Sequence, residues 1–177
     1  MSTENDESSI RIYVACLAAY NNGKLHGTWI NADQEPEDIL TEINKMLSES
    51  PEPGAEEWGI FDHEGFCGVS ISEYESLETV SALARYIDEH GKLGAALYEY
   101  AGTIDAAKKT MEECYQGEFE SMRDWAEDLL DQSGQLDSLP ENLRYYFDYE
   151  SFARDCELSG EIFTIEIGGK VHVFSAK

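Results

Sequence analysis

Apolar residues recur along this chain with two different periods, and the switches between them mark out its elements. Residues 10–20 (IRIYVACLAAY) form a β-branched apolar run that ends at Asn21-Asn22-Gly23 and is followed by KLHGTWINA. Asn-Gly between apolar runs is a hairpin signal, because both central residues of a type I′ turn need positive φ. In EPEDILTEINKML, the residues Ile39, Leu40, Ile43, Met46 and Leu47 fall at helical spacing, with Pro36 near the first helical position. ESPEPGAEE then reads as a loop and EWGIFDHEG as a third strand. Two strands, a helix and a strand make a small α+β domain over residues 1–70.

The period changes beyond that point. SLETVSALARYIDEHGK sets Leu77, Val80, Leu83, Ala84 and Ile87 on one helical stripe and stops at Gly91. LGAALYEYAG and TIDAAKKTMEEC continue with short, alanine-rich helical patterns, so residues 71–113 read as a helical middle domain. The remainder, 114–177, reads as a second α+β domain. It holds helices in ESMRDWAEDLLDQSG, LPENLRYYF and DYESFARDCELSG, then an alternating hairpin, EIFTIEI-GG-KVHVFS, turning at Gly168-Gly169. The fold class is therefore α+β, an α+β unit followed by a helical segment and a second α+β unit. No internal repeat of fixed period is present.

Composition changes this picture in one respect. The 42% of apolar residues, with ten Tyr, seven Phe and three Trp, is enough for a packed core. Yet 37 acids stand against 12 bases, a net charge of −25, where a small domain needs only about 2–8 for solubility. The excess opposes folding by self-repulsion. It is also spread along the chain: −11 over residues 1–70, −5 over 71–113 and −9 over 114–177. This is an extended acidic surface and not an acidic tail.

The segment 122–150 (MRDWAEDLLDQSGQLDSLPENLRYYFDYE) shows the excess most plainly, with eight carboxylates against two arginines. At 100° per residue, Asp124, Glu127, Asp128 and Asp131 fall on one face of a helix. Met122, Trp125, Ala126, Leu129 and Leu130 take the other. Ser121 as N-cap with Asp124 three residues on resembles a capping box, which gives Asp124 a structural role. Like charges at i,i+4 cost roughly 0.2–0.5 kcal/mol per pair, and Asp131 lies near the negative end of the helix dipole. A helix selected only for stability would interleave lysines, and none occurs between residues 110 and 169.

Little else in the chain suggests chemistry. No glycine-rich phosphate loop, G-x-S-x-G elbow or H-E-x-x-H is present. Strand alternation sends Asp62, His63 and Glu64 of FDHEGF to different faces, against a metal or acid/base role, and the other histidines have no partners in sequence. Carboxylates are so abundant that some pair will always lie at a workable distance, so their presence does not argue for an acid/base dyad. Tyr145, Tyr146 and Tyr149 with Phe147 and Phe152 read as core in preference to a base-stacking platform. Tyr149, Phe152, Ala153 and Cys156 follow helical spacing, and Arg154 is expected to pair with Glu150 or Glu157. Cys16, Cys67, Cys114 and Cys156 form no C-x-x-C pair and read as buried free thiols in a reducing cytoplasm. The polar MSTENDESS is expected to be frayed, and no apolar run reaches the roughly 20 residues that span a bilayer.

A surface of fixed carboxylates attracts basic proteins, and the strongly basic grooves of a cell belong to proteins that bind nucleic acid. Duplex DNA carries one charge per ≈1.7 Å, so the net charge of −25 corresponds to roughly 40 Å of duplex, on the order of a dozen base pairs. The expectation is a non-catalytic protein, needing no cofactor, metal, nucleic acid or membrane, that occupies a DNA enzyme's binding channel. Two alternatives remain. A salt-adapted cytosolic enzyme would need molar salt to stay folded, and an acidic chaperone would bind many basic partners without selectivity.

A family resemblance points the same way. IYVACLAAYNNGKLHGTWI resembles the Y-x-A-x-L-x-x-Y-N-x-G-x-L-x-G-x-W opening of ArdA-type antirestriction proteins. EWGIFDHEGF followed by ISEYESL is similar to that family's next block, and LPENLRYYFDYESFARDCELSG to its C-terminal block. The likeness runs from about residue 10 to 166 and is weakest over the middle helices. It implies a fold of three small domains in a row and a curved, elongated homodimer that imitates bent B-form DNA and inhibits type I restriction–modification enzymes at the DNA site of their modification core. It also implies carriage on plasmids, transposons and phages. No catalytic residue is implied, and the phosphate-imitating acids are nominated by position. Asp124, Glu127, Asp128 and Asp131 come from the helical face, and Asp137, Glu141, Asp148, Glu150, Asp155 and Glu157 lie in or beside the third block. Glu56, Glu57, Asp62 and Glu64 lie in or beside the second. Asp148 doubles as a candidate helix cap and Asp155 as a candidate ion-pair partner.

Overall fold

Strand β1 (Arg11–Cys16) is the centre of the first sheet, paired antiparallel on one side with β2 (Gly27–Asn31) and on the other with β3 (Trp58–Glu64). The computed structural model describes residues 9–176; the first eight residues, including most of the segment expected to be frayed, lie outside the described residues. The chain divides into two units, one ending at Glu99 and the other beginning at Tyr100. Among the described residues are seven helices and six strands in two three-stranded sheets, an α+β fold as the periodicity indicates.

In the first unit, Ile12, Val14 and Cys16 of β1 are fully buried, as is Ile30 of β2. Helix α2 (Pro36–Ser48) packs on β1 and β2. Pro36 in its first turn has no amide to leave unpaired, and Glu37 and Asp38 there suit the positive end of the dipole. Ile39, Ile43, Met46 and Leu47 are buried as the spacing predicts, while Leu40 is 41% exposed. Helix α3 (Leu77–Ala101) buries the predicted stripe of Leu77, Val80, Leu83, Ala84 and Ile87 and breaks at Gly91, whose φ of 62° and ψ of −147° are non-helical. Ser81 donates its hydroxyl to the Gln34 carbonyl at 2.6 Å, and Arg85 pairs with Glu35 at 2.6 Å, tying α3 to the loop before α2.

The connection from β1 to β2 departs from the expected hairpin. The strand stops at Cys16, and Leu17–Asn21 coil into one helical turn, α1. Asn22 has a φ of −97°, so a type I′ turn at Asn22-Gly23 is excluded. Gly23 is left-handed at φ 77°. Its amide reaches the Tyr20 carbonyl at 3.0 Å, and the Lys24 amide reaches Ala19 at 2.9 Å. That pair of bonds is a Schellman cap. Asn-Gly thus ends a helix here and does not reverse a strand.

The second unit opens with α4 (Ile104–Cys114), capped by the Thr103 hydroxyl accepting from the Ala106 amide at 3.1 Å. β4 (Tyr115–Phe119) follows and had no counterpart among the sequence-based expectations. It pairs with β6 (Lys170–Ser175), which pairs in turn with β5 (Ile162–Ile167). The β5–β6 hairpin turns at Gly168 and Gly169, both at positive φ, as the type I′ reading requires. Helices α5 (Met122–Ser133) and α7 (Tyr149–Leu158) pack on each other, with a 3₁₀ turn at Gln135–Ser138 and the short α6 (Glu141–Arg144) between them. Trp125, Ala126, Ala153, Cys156, Ile162 and Val173 form the core, flanked by Phe119, Met122, Tyr149, Phe152 and Val171. The Trp125 indole nitrogen donates to Gln116 at 2.9 Å, tying α5 to β4.

Several expectations are corrected. Tyr145 and Tyr146 are 85% and 84% exposed, because they lie in a turn after α6 where helical spacing does not apply. Leu129 is 37% exposed and not on the buried face of α5. Cys16 and Cys156 are buried, Cys114 is half-buried and Cys67 is exposed, at φ 53° in the loop after β3. Arg154 forms no ion pair within 4 Å among the described residues; its charge acts instead on Asp148.

Candidate partner-binding surface

Both units are acidic in their own right. Residues 9–99 hold 17 acids against five bases, and residues 100–176 hold 17 against six. Neither unit can be read as a neutral scaffold for the other's charge.

On α5, the Ser121 hydroxyl accepts from the Asp124 amide at 3.2 Å, which confirms the predicted cap. Trp125, Ala126 and Leu130 face the core, leaving Asp124, Asp128 and Asp131 exposed. Glu127 is half-buried and accepts from Arg123 at 3.1 Å, so its charge is compensated. Arg123 also lies 5.4 Å over the Tyr149 ring. Asp128 accepts a hydrogen bond from Gln132 at 2.9 Å.

Asp137, Glu141, Glu150, Asp155 and Glu157, on the 3₁₀ turn, α6 and α7, are exposed, and none has a cation within 4 Å among the described residues. Arg144 lies among them, but its guanidinium donates to the carbonyls of Leu139 and Asp137, both at 3.1 Å, and braces the turn between helices. Asp148 caps α7. Its carboxylate accepts the Ser151 amide at 3.0 Å and the Ser151 hydroxyl at 2.7 Å, and these bonds hold it below its ordinary value of 3.8.

The four acids nominated in the first unit divide in two. Glu56 and Glu57 are exposed on the loop before β3 with no cation within 4 Å among the described residues. Asp62 is exposed, its carboxylate accepting the His63 amide at 2.8 Å, whereas Glu64 pairs with Arg11 across β1–β3 at 2.7 Å. Three acids outside the nominated set lie near the exposed Tyr74: Glu75 and Glu78 line a groove with it, and the charge of Glu73 pushes its phenol up.

Among the described residues, no group of three or more His, Cys, Asp or Glu is placed to hold a metal ion. No helix is long and apolar enough to cross a membrane. His172, the buried histidine, is held by the Tyr115 hydroxyl at 2.8 Å from Nδ1, and His26 by the Met46 carbonyl at 2.7 Å. What the surface offers chemically is negative charge on short, internally capped elements. No curated protein matches the chain, and a family model described as Antirestriction protein (ArdA) matches residues 12–171.

Proposed function

The chain belongs to the ArdA antirestriction family, and on that premise we propose that it works without catalysis, as a protein imitation of the DNA backbone. Its carboxylates occupy the DNA-binding groove of the modification core of a type I restriction–modification enzyme and exclude duplex DNA competitively. A homodimer doubles the length of duplex imitated, and the site of action is the cytoplasm.

The observation that carries this reading is the run of exposed acids from Asp124 to Glu157. Among the described residues, only the half-buried Glu127 in this stretch is neutralised by an ion pair, while the nearby Arg144 is spent on backbone carbonyls. Evolution toward stability alone would have placed lysines there. A basic groove shaped for phosphates supplies the missing cations.

The experiment is a competition between this protein and duplex DNA for a type I modification enzyme over a range of salt. Affinity should fall steeply as salt rises, because the attraction is between charges and is screened. An affinity that stays level from low to moderate salt would remove the acidic surface from the contact.

A further inference from the structure

An open groove of about 570 Å³ lies on the first unit, lined by Leu40, Trp58, Tyr74 and Leu77 with Glu75 and Glu78 at its edge. A second groove of about 440 Å³ shares Trp58 and Tyr74 and adds Glu56 and Glu57. Tyr74 is 74% exposed and Leu40 41%. An imitation of phosphates needs no such floor, since phosphates present charge and no aromatic face. Among the described residues, no cation lies within 4 Å of Glu56, Glu57, Glu75 or Glu78. Arg85, which pairs with Glu35 on the rim, is already engaged at 2.6 Å.

The protein itself shows what this combination of groups holds. Arg11 stacks 4.6 Å from the Trp29 ring centroid while its guanidinium contacts Glu64 at 2.7 Å. Arg123 repeats the arrangement with Tyr149 and Glu127. In both, a planar guanidinium lies on an aromatic face and turns its N–H groups to a carboxylate, which a lysine ammonium does less well.

We propose that the Trp58–Tyr74 groove receives an arginine side chain from a basic segment of the partner protein, its guanidinium stacked on Tyr74 and bonded to Glu75 or Glu78. This rests on the reading of the protein as an inhibitor seated in a basic channel and adds a contact that DNA itself does not make. The stacking component, short-ranged and partly buried, is screened much less by salt than the carboxylate component.

Two measurements test it. In the first, wild type, Y74A, Y74F and E75Q/E78Q compete with duplex DNA for a type I modification enzyme across a salt series. Y74A should lose about tenfold in affinity at every salt concentration, by the size of a desolvated cation–π contact, and Y74F should retain wild-type affinity. E75Q/E78Q should lose affinity mainly at low salt, with a shallower salt dependence. In the second, tetra-arginine and tetra-lysine peptides are titrated against tryptophan fluorescence. Tetra-arginine should bind more tightly, and Y74A should abolish the difference. The proposal is overturned if Y74A competes as well as wild type, or if the two peptides bind alike and ignore the substitution. Should wild type fail to displace DNA at all, the DNA-imitation reading falls, and the peptide titration alone then decides the groove.

Discussion

Arg123 donates from Nη1 to Oε2 of Glu127, one turn further along α5, at 3.1 Å, and the same guanidinium lies over the Tyr149 ring of α7. The contact does two opposing things. It helps fasten α5 to α7, and it cancels one of the charges that a basic partner would meet. R123Q should therefore destabilise the fold by about 0.8–1.5 kcal/mol, the sum of a half-exposed ion pair and a weak cation–π contact. It should at the same time tighten binding to a type I modification enzyme at low salt. Urea unfolding and DNA competition on the same preparation check both signs. A loss of affinity would show that Arg123, and not the carboxylate, faces the partner.

The β1–β2 connection yields a sharper comparison. A type I′ turn would need positive φ at Asn22 as well as Gly23, whereas the Schellman cap needs it at Gly23 alone. N22A should consequently be near neutral. G23A should cost about 1–2 kcal/mol from backbone strain; nothing lies within 4 Å of an added Cβ, so the cost is conformational and not a clash. Comparable losses from both substitutions would favour the hairpin turn.

What was legible in the sequence depended on how far each element repeats its own period. α2, α5 and α7 run for 10 to 13 residues with caps that proline, serine or aspartate announce, and all three were readable. The final hairpin was readable because two glycines interrupt a clean alternation. α1 is only five residues long and continues the apolar run of β1, so its sequence looks like strand. β4 alternates poorly, contains Gly117 and shifts register against β6 between Tyr115 and Gly117, so nothing in YQGEF marks it out. Exposure of the acids followed from their chemistry, but the pairing of Glu64 with Arg11 did not, since 53 residues separate them. The Trp58–Tyr74 groove draws on α2, β3 and the loop before α3, a combination that only folding brings together.

Asp148 gives a pH-dependent expectation. Bonds from the Ser151 amide and hydroxyl depress its folded-state value below the ordinary 3.8. For a carboxylate so depressed, the stabilisation is complete above the unfolded value and is lost as pH falls through the folded one. D148A should therefore be less stable than wild type at neutral pH through loss of the α7 cap, and the gap should narrow as pH falls below 3.8. Thermal unfolding of both proteins between neutral and acidic pH measures it. A gap that stays constant down to the lowest pH would place the contribution of Asp148 outside its charge.

The double substitution D128N/D131N separates charge selected for binding from charge tolerated at random. In α5 it removes the like-charged pairs Asp124–Asp128, Glu127–Asp131 and Asp128–Asp131, and takes a negative group from the negative end of the helix dipole. The Arg123–Glu127 pair is left intact, and an asparagine at position 128 keeps an oxygen to accept from Gln132. Asn and Asp differ little in helix propensity, so the electrostatic gain should dominate, at about 0.5–1.5 kcal/mol of added stability. Binding should move the other way. If both carboxylates meet cations of the partner, affinity falls at low salt and its dependence on salt becomes shallower. A variant that is more stable and binds less well shows that α5 gives up stability to keep its charge for a partner. A variant that is more stable and binds unchanged would confine the contact to other acids of the chain.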